Sequence, residues 1–203
     1  MSRAFSDIAF TPKVRAMQER HGSRNAYAKL DHATDRGDSL GPQEAAFVAE
    51  RDSFYLATVG ENGWPYVQHR GGPAGFLKVL GPRQIGYADF SGNKQYISTG
   101  NLLSDDRVSL FLMDYAEQRR LKLWGCARLV EADDAPELVA QLTPANYRAR
   151  IERGVIIEVE AFDWNCPQHI TPRFTEAQIE TMTAPLRAQL AEARAQLAAL
   201  GAP

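Results

Sequence analysis

Between Phe54 and Phe162 the chain breaks into short runs rich in β-branched and aromatic residues, with turn formers between them. This rhythm limits the fold more than any other feature. Phe54–Val59 is followed by Gly60-Glu61-Asn62-Gly63, a strong turn signal, and Pro65–Arg70 returns as the next strand. Phe76–Leu80 reads as a third strand, Gly81-Pro82 as a turn and Gln84–Phe90 as a fourth strand. After a loop at Ser91-Gly92-Asn93, Lys94–Leu103 reads as a helix. Arg107–Met113 and Arg119–Glu131 are strands, Ala135–Leu142 a helix and Val155–Phe162 the last strand. About seven strands with few, irregularly placed helices argue against a βαβ repeat and for an antiparallel barrel or sandwich.

The flanks read differently. Thr11 is an N-cap, Pro12 fits the first helical position, and Lys13–His21 is a short helix stopped by Gly22. Ser23–Gly41 is polar and Gly/Asp-containing, which predicts a surface loop. Gln43–Arg51 is a helix leading into the strands. At the other end Phe174–Leu200 is helical, with Ile179, Met182, Leu186, Leu190, Ala193, Leu197 and Leu200 recurring at spacings of three and four. Such a stripe packs on its parent domain or pairs with a second copy, and its narrowness favours the second. The organisation expected is an arm at 1–42, a strand-rich domain at 43–170 and a helical tail at 171–203.

Composition removes several function classes. The 203 residues carry a formal net charge of −2. General affinity for nucleic acid needs an excess of Lys and Arg to neutralise phosphates, so none is expected. Two cysteines, Cys126 and Cys166, cannot build a disulfide framework. The first residues contain no apolar signal-peptide core, and no stretch approaches the length of a membrane span, so the expected compartment is the cytoplasm.

Common catalytic signatures are missing: no Walker loop, no paired Cys-x-x-Cys, no His-Glu-x-x-His and no nucleophile elbow. Gly71–Gly75 is glycine-rich but lies between two strands, whereas a dinucleotide fingerprint needs strand, loop and helix in that order. The informative stretch is Tyr66–Asn101. It places Arg70 and Lys78 on adjacent strands and Ser91–Lys94 where a loop meets a helix start, whose free N–H groups suit a phosphate. On residue type alone, the same basic side chains read more readily as solvent-facing strand residues than as a phosphate site.

The residues from about Phe54 to Val130 resemble the pyridoxamine 5′-phosphate oxidase superfamily of FMN-binding split barrels. The resemblance is carried by Arg70 with Phe76-Leu77-Lys78, by Tyr87–Lys94, and by the later strand Arg119–Gly125. Val14–Ala28, Phe54–Lys78, Asp89–Asn101 and Trp164–His169 further resemble a subfamily of flavin-nucleotide-binding proteins. The resemblance implies an antiparallel split β-barrel with peripheral helices, and a homodimer with FMN at its interface. The cofactor site it implies comprises His69, Arg70, Lys78, Tyr87, Ala88, Asp89, Ser91, Asn93, Lys94 and Arg120, with Arg120 or Lys122 near the ring. The function implied is an FMN-dependent oxidoreductase of a small molecule. The alternatives are a flavin-binding sensor or carrier without turnover, and a barrel that holds haem or a deazaflavin.

The match departs from the family's enzyme in four places. Gly71–Gly75 lengthens the spacing between Arg70 and Lys78, and Asn93-Lys94 replaces an Arg-Lys pair. Tyr147–Arg150 offers no clear match to the residues that bind substrate phosphate, and the enzyme's Trp- and Arg-bearing C-terminal segment is absent. The resemblance therefore carries FMN over to this chain but not pyridoxamine phosphate as substrate.

Several other residues carry two readings. Cys166 and His169 are too few for a zinc site, even with His69, so no metal is expected; their segment folds over the flavin edge or is a buried loop. Cys126 reads as core. Trp64 stacks on a ring or packs beside its turn, while Tyr66, Tyr87 and Phe90 read by residue type as core. Arg24 and Tyr27 approach the site if the arm crosses to it. No catalytic acid or base is assigned.

Overall fold

In the computed structural model, which describes residues 2–34, 36–164, 166–199 and 201, the strand-rich stretch forms one antiparallel sheet. Asn165 and Leu200, singled out in the sequence, lie outside the described residues. The strands are β1 (Ser53–Val59), β2 (Pro65–Gly71), β3 (Leu77–Gly81), β4 (Gln84–Phe90), β5 (Arg107–Asp114), β6 (Arg119–Glu131) and β7 (Ile151–Trp164). Their order in the sheet is β2-β1-β5-β6-β7-β4-β3. The expected α+β fold with an antiparallel split barrel is what the chain adopts.

Period-two alternation sets which side of the sheet is buried. Phe54 and Leu56 of β1, Leu110 and Leu112 of β5, and Leu121 and Leu123 of β6 point inward with Leu77, Tyr87, Val155 and Ile157. Long β6 and β7 form the spine, paired from Leu121↔Trp164 to Glu131↔Arg153 with a register shift at Trp124/Gly125. Gly125 permits that bulge: a Cβ there would stand 2.2 Å from the carbonyl oxygen of Glu158. The β1–β2 hairpin closes as its Gly-Glu-Asn-Gly sequence predicts, with Gly63 at φ 82° and Gly60 N–H donating to the Trp64 carbonyl.

The helices cover what the sheet leaves open. They are α1 (Arg3–Ala9), α2 (Pro12–Arg20), α3 (Arg24–Ala28), α4 (Pro42–Ala49), α5 (Ile97–Ser104), α6 (Pro136–Leu142) and α7 (Glu176–Ala199). Thr11 caps α2 as expected, accepting from Val14 N–H. Phe47 and Val48 of α4 join the main core, and Phe47 meets the Trp164 ring at 4.8 Å. Val139 and Leu142 of α6 pack outside the barrel on Ala88, Val130 and Ile156. Ala4 and Phe5 of α1 bury Ala161.

Five expectations need correction. Ser23–Gly41 is not all loop: α3 and a 3-10 turn at Lys29–His32 lie within it, held where Arg15 and Arg24 both pair with Asp31. Helix α1 has no counterpart in the sequence reading, because its burial comes from the sheet beneath it rather than from its own periodicity. The last strand runs longer than 155–162 because β6 pairs with it from Arg153 to Trp164 and β4 reaches Ile151. The helix expected from Lys94 begins at Ile97, because Lys94 (φ 61°) and Tyr96 (φ 53°) adopt left-handed backbone. Cys126 is not core: it alternates with inward Gly125 and Ala127 and faces outward, half-buried. The tail is helical as expected, and none of its described residues is buried.

Candidate functional site

The order of the strands leaves the barrel open between β2 and the β4–β3 pair, and a cleft lies there. It has a volume of about 390 Å³, within the range of small-molecule sites. One wall is the inner face of β2, where Tyr66, Gln68 and Arg70 recur at period two. The floor is the end of β4 at Tyr87, Ala88 and Asp89. The far wall is the loop Ser91–Tyr96 and the first turn of α5, with Tyr147 and Glu152 at the rim.

Specific bonds hold these walls in place. Ser98 Oγ donates to Gln68 Oε1 at 2.7 Å and Asn101 Nδ2 to Thr58 Oγ1 at 2.9 Å, which fixes α5 against the β1–β2 hairpin. Ser91 N–H donates to the Arg150 carbonyl, and Asn93 Oδ1 accepts from Gln95 N–H. Tyr96 is pinned by its hydroxyl on Glu152 and by the Arg153 guanidinium over its ring at 5.6 Å. These contacts offset two departures into left-handed backbone, at Lys94 and Tyr96, of a kind that concentrates at ligand sites. No side chain caps α5, and its first residues, Ile97, Ser98 and Thr99, line the cleft.

Arg70 reaches across the split and its Nη1 donates to Asp89 Oδ1 at 2.6 Å. Asp89 is buried, and burial pushes its carboxyl above the ordinary carboxylate range, against the pull of Arg70 and Arg153. Burial likewise pushes the Tyr87 hydroxyl well above its usual value. Tyr87 Oη and Arg70 Nε are buried polar atoms without a hydrogen-bond partner in the protein. Groups of this kind are costly in a folded chain, and Arg120 Nε and Arg153 Nε, outside the cleft lining, share the condition.

Of the ten residues expected to hold the cofactor, eight line this cleft: His69, Arg70, Tyr87, Ala88, Asp89, Ser91, Asn93 and Lys94. Lys78 and Arg120 do not. Lys78 pairs with Gly86, and that register puts both on the α6 face of the sheet. Arg120 stands 5.7 Å from the Phe111 ring on the outer face of β6, and Lys122 pairs with Asp163. Tyr87 and Phe90 are core as their residue type suggests, yet they also line the cleft, as does Tyr66. Trp64 stands 75% exposed beside its turn, outside the lining of the cleft. Arg24 and Tyr27 are engaged within the arm, with Asp31 and Phe10. Cys166 and His169 are exposed and away from the cleft, and no group of metal-ligating side chains occurs among the described residues. The sequence reading missed Gln68, Tyr96, Ser98 and Glu152. Alternation from Arg70 marks Gln68, but Glu152 is placed only by the β4–β7 register.

Three comparisons bear on this geometry. The sequence matches none of the curated proteins. Among solved structures, HupZ of Group A Streptococcus superposes with a TM-score of 0.50 at 15% identity, over 66% of this chain and 100% of that one. An FMN-binding protein from Syntrophomonas wolfei gives 0.44 at 13% identity, over 74% and 97%. HutZ, a haem storage protein of Vibrio cholerae, gives 0.39 at 17%, over 62% and 94%. The family model described as pyridoxamine 5′-phosphate oxidase matches residues 40–165, which hold all seven strands and the whole cleft. With more than half of the chain matched, the protein belongs to the pyridoxamine 5′-phosphate oxidase family.

Proposed function

We propose that this protein binds FMN in the cleft between β2 and β4 and, as a homodimer, uses it to oxidise or reduce a small molecule. The observation that carries the reading is the pair of unpartnered buried atoms, Arg70 Nε and Tyr87 Oη, beside Lys94 and the uncapped start of α5. Together they form a mixed cradle: N–H groups with the cations Lys94 and Arg70 for a phosphate, and the buried Tyr87 hydroxyl for a polar edge.

A bound flavin supplies electron transfer; the chain supplies its placement and hydrogen bonding. Lys94 and the first N–H groups of α5 would hold the phosphate. Tyr66, Phe90 and Tyr147 would give apolar walls that exclude water. Tyr87, kept protonated by its burial, would remain a donor. Outer-face cations such as Arg120 and Lys122 would act across the interface of a dimer, since neither reaches the cleft of its own chain.

The test compares flavins with and without the phosphate. FMN and riboflavin are titrated into the protein and followed by flavin fluorescence. Lys94→Ala is expected to weaken FMN about tenfold or more, the worth of one charge-assisted hydrogen bond, and to leave riboflavin unchanged. Lys78→Ala is expected to change neither. Equal affinity of the Lys94 variant for FMN, or tight haem binding with no flavin binding, overturns the reading.

A further inference from the structure

The cleft that suits an anion also holds a carboxylate on its deepest cation. Arg70 and Asp89 are 2.6 Å apart, with Asp89 5% exposed. The charged and titratable groups facing Asp89 are Arg70 from β2, Tyr87 from its own strand, and Glu152 and Arg153 from β7. Lys94 shares the cleft from the loop before α5. Arg153 is already engaged with Glu131 and Glu152, so the charge that Asp89 neutralises is chiefly that of Arg70. A cation whose charge is cancelled by a buried neighbour attracts a phosphate far less than a free one. Arg70 still keeps Nε unpartnered, so it remains a donor even while its charge is masked.

We propose that Asp89 sets the charge preference of the cleft: while ionised it masks Arg70 and weakens binding of a phosphate-bearing ligand, and when protonated it releases that charge. This rests on the reading that the cleft holds FMN. Burial, the first cause acting on the Asp89 carboxyl, raises its titration above the ordinary 3.8, so the masking sets in as pH rises through a window above that value. Asp89 is thus a positioning residue that acts through Arg70, and it favours neutral flavins over phosphorylated ones as pH rises.

The test uses the whole protein and three forms of it: wild type, Asp89→Asn and Asp89→Ser. FMN and riboflavin affinities are measured in steps from about pH 4 to about pH 8. Comparison between forms at one pH cancels the phosphate's own ionisation. Asp89→Asn keeps an oxygen that can accept from Arg70, so the geometry is retained. It is expected to bind FMN about tenfold more tightly than wild type near pH 8, with the advantage shrinking toward the acid end and riboflavin unchanged. Asp89→Ser, smaller and also neutral, is expected to show the same gain and the same trend, which keeps the test decisive if Asp89→Asn fails to fold. Equal FMN affinity of wild type and the neutral variants at every pH overturns the proposal, as does a riboflavin gain equal to the FMN gain. Failure of every form to bind FMN overturns the flavin reading itself, and is distinct from tight FMN binding that ignores residue 89.

Discussion

Tyr87→Phe separates the two things a buried hydroxyl can do. Tyr87 is 1% exposed, its ring packs against Phe54 at 5.3 Å, and its hydroxyl has no partner in the protein. Phenylalanine keeps the ring contacts and removes only the oxygen. An unsatisfied buried polar group costs about 1–3 kcal/mol, so its removal is expected to stabilise the ligand-free protein by about 1–2 kcal/mol. For a chain of this size that raises the melting temperature by about 2–4 °C per kcal/mol. Binding should move the other way. A ligand that accepts or donates at that hydroxyl loses one hydrogen bond, about 0.5–1.5 kcal/mol, so FMN affinity falls by roughly twofold to tenfold. The assay is a thermal melt of the ligand-free protein beside an FMN titration, both on wild type and variant. A lower melting temperature together with unchanged FMN affinity would show that the hydroxyl is already satisfied within the fold, and the case for a ligand at that point would fail.

Other perturbations follow from the same structure. Gly125→Ala puts a Cβ 2.2 Å from the Glu158 carbonyl oxygen at the β6–β7 bulge, where only backbone could yield; chemical denaturation should show a loss of at least about 1–3 kcal/mol, and a neutral result would mean the bulge is absent. Thr11→Ala removes the cap of α2 and should cost about 1 kcal/mol or less, because that helix buries no residue. The Asp105 carboxylate, held down to about 2 chiefly by its hydrogen bond from Arg107, should titrate well below its unfolded value. Its contribution to stability is therefore present above about 4 and fades as pH falls through about 2, which carbon NMR of that carboxyl would follow.

The strands and their turns were legible because alternation and turn residues act locally. Gln84–Phe90 is a strand with those same bounds, and the Gly60–Gly63 turn forms as its residues dictate. Half-buried strands announce their inward face, so Phe54, Leu56, Leu121 and Leu123 could be expected in the core. What stayed hidden depends on closure of the sheet. Nothing near Asp89 in sequence says that Arg70, two strands earlier, crosses the split to meet it. Nor does local pattern reveal that Lys78, one strand from the site, turns to the opposite face; only the pairing with Gly86 decides that. The delayed start of α5 was also invisible, since Lys94-Gln95-Tyr96 has good helix formers. Hydrogen bonds donated to Asn93 by Gln95 N–H and to Glu152 by the Tyr96 hydroxyl outweigh that propensity and leave the loop lining the cleft. The tail shows the reverse case: its stripe reads plainly from sequence, and the structure adds that Ile179, Met182, Leu186 and Leu190 are all exposed.

The most direct measurement on the central claim is a visible absorption spectrum of the freshly purified protein, followed by heat release and identification of any chromophore. The account predicts a two-banded flavin spectrum, or its appearance on adding FMN, with FMN recovered on release and lost from Lys94→Ala. A Soret band, or a colourless protein that takes up no FMN, would contradict it.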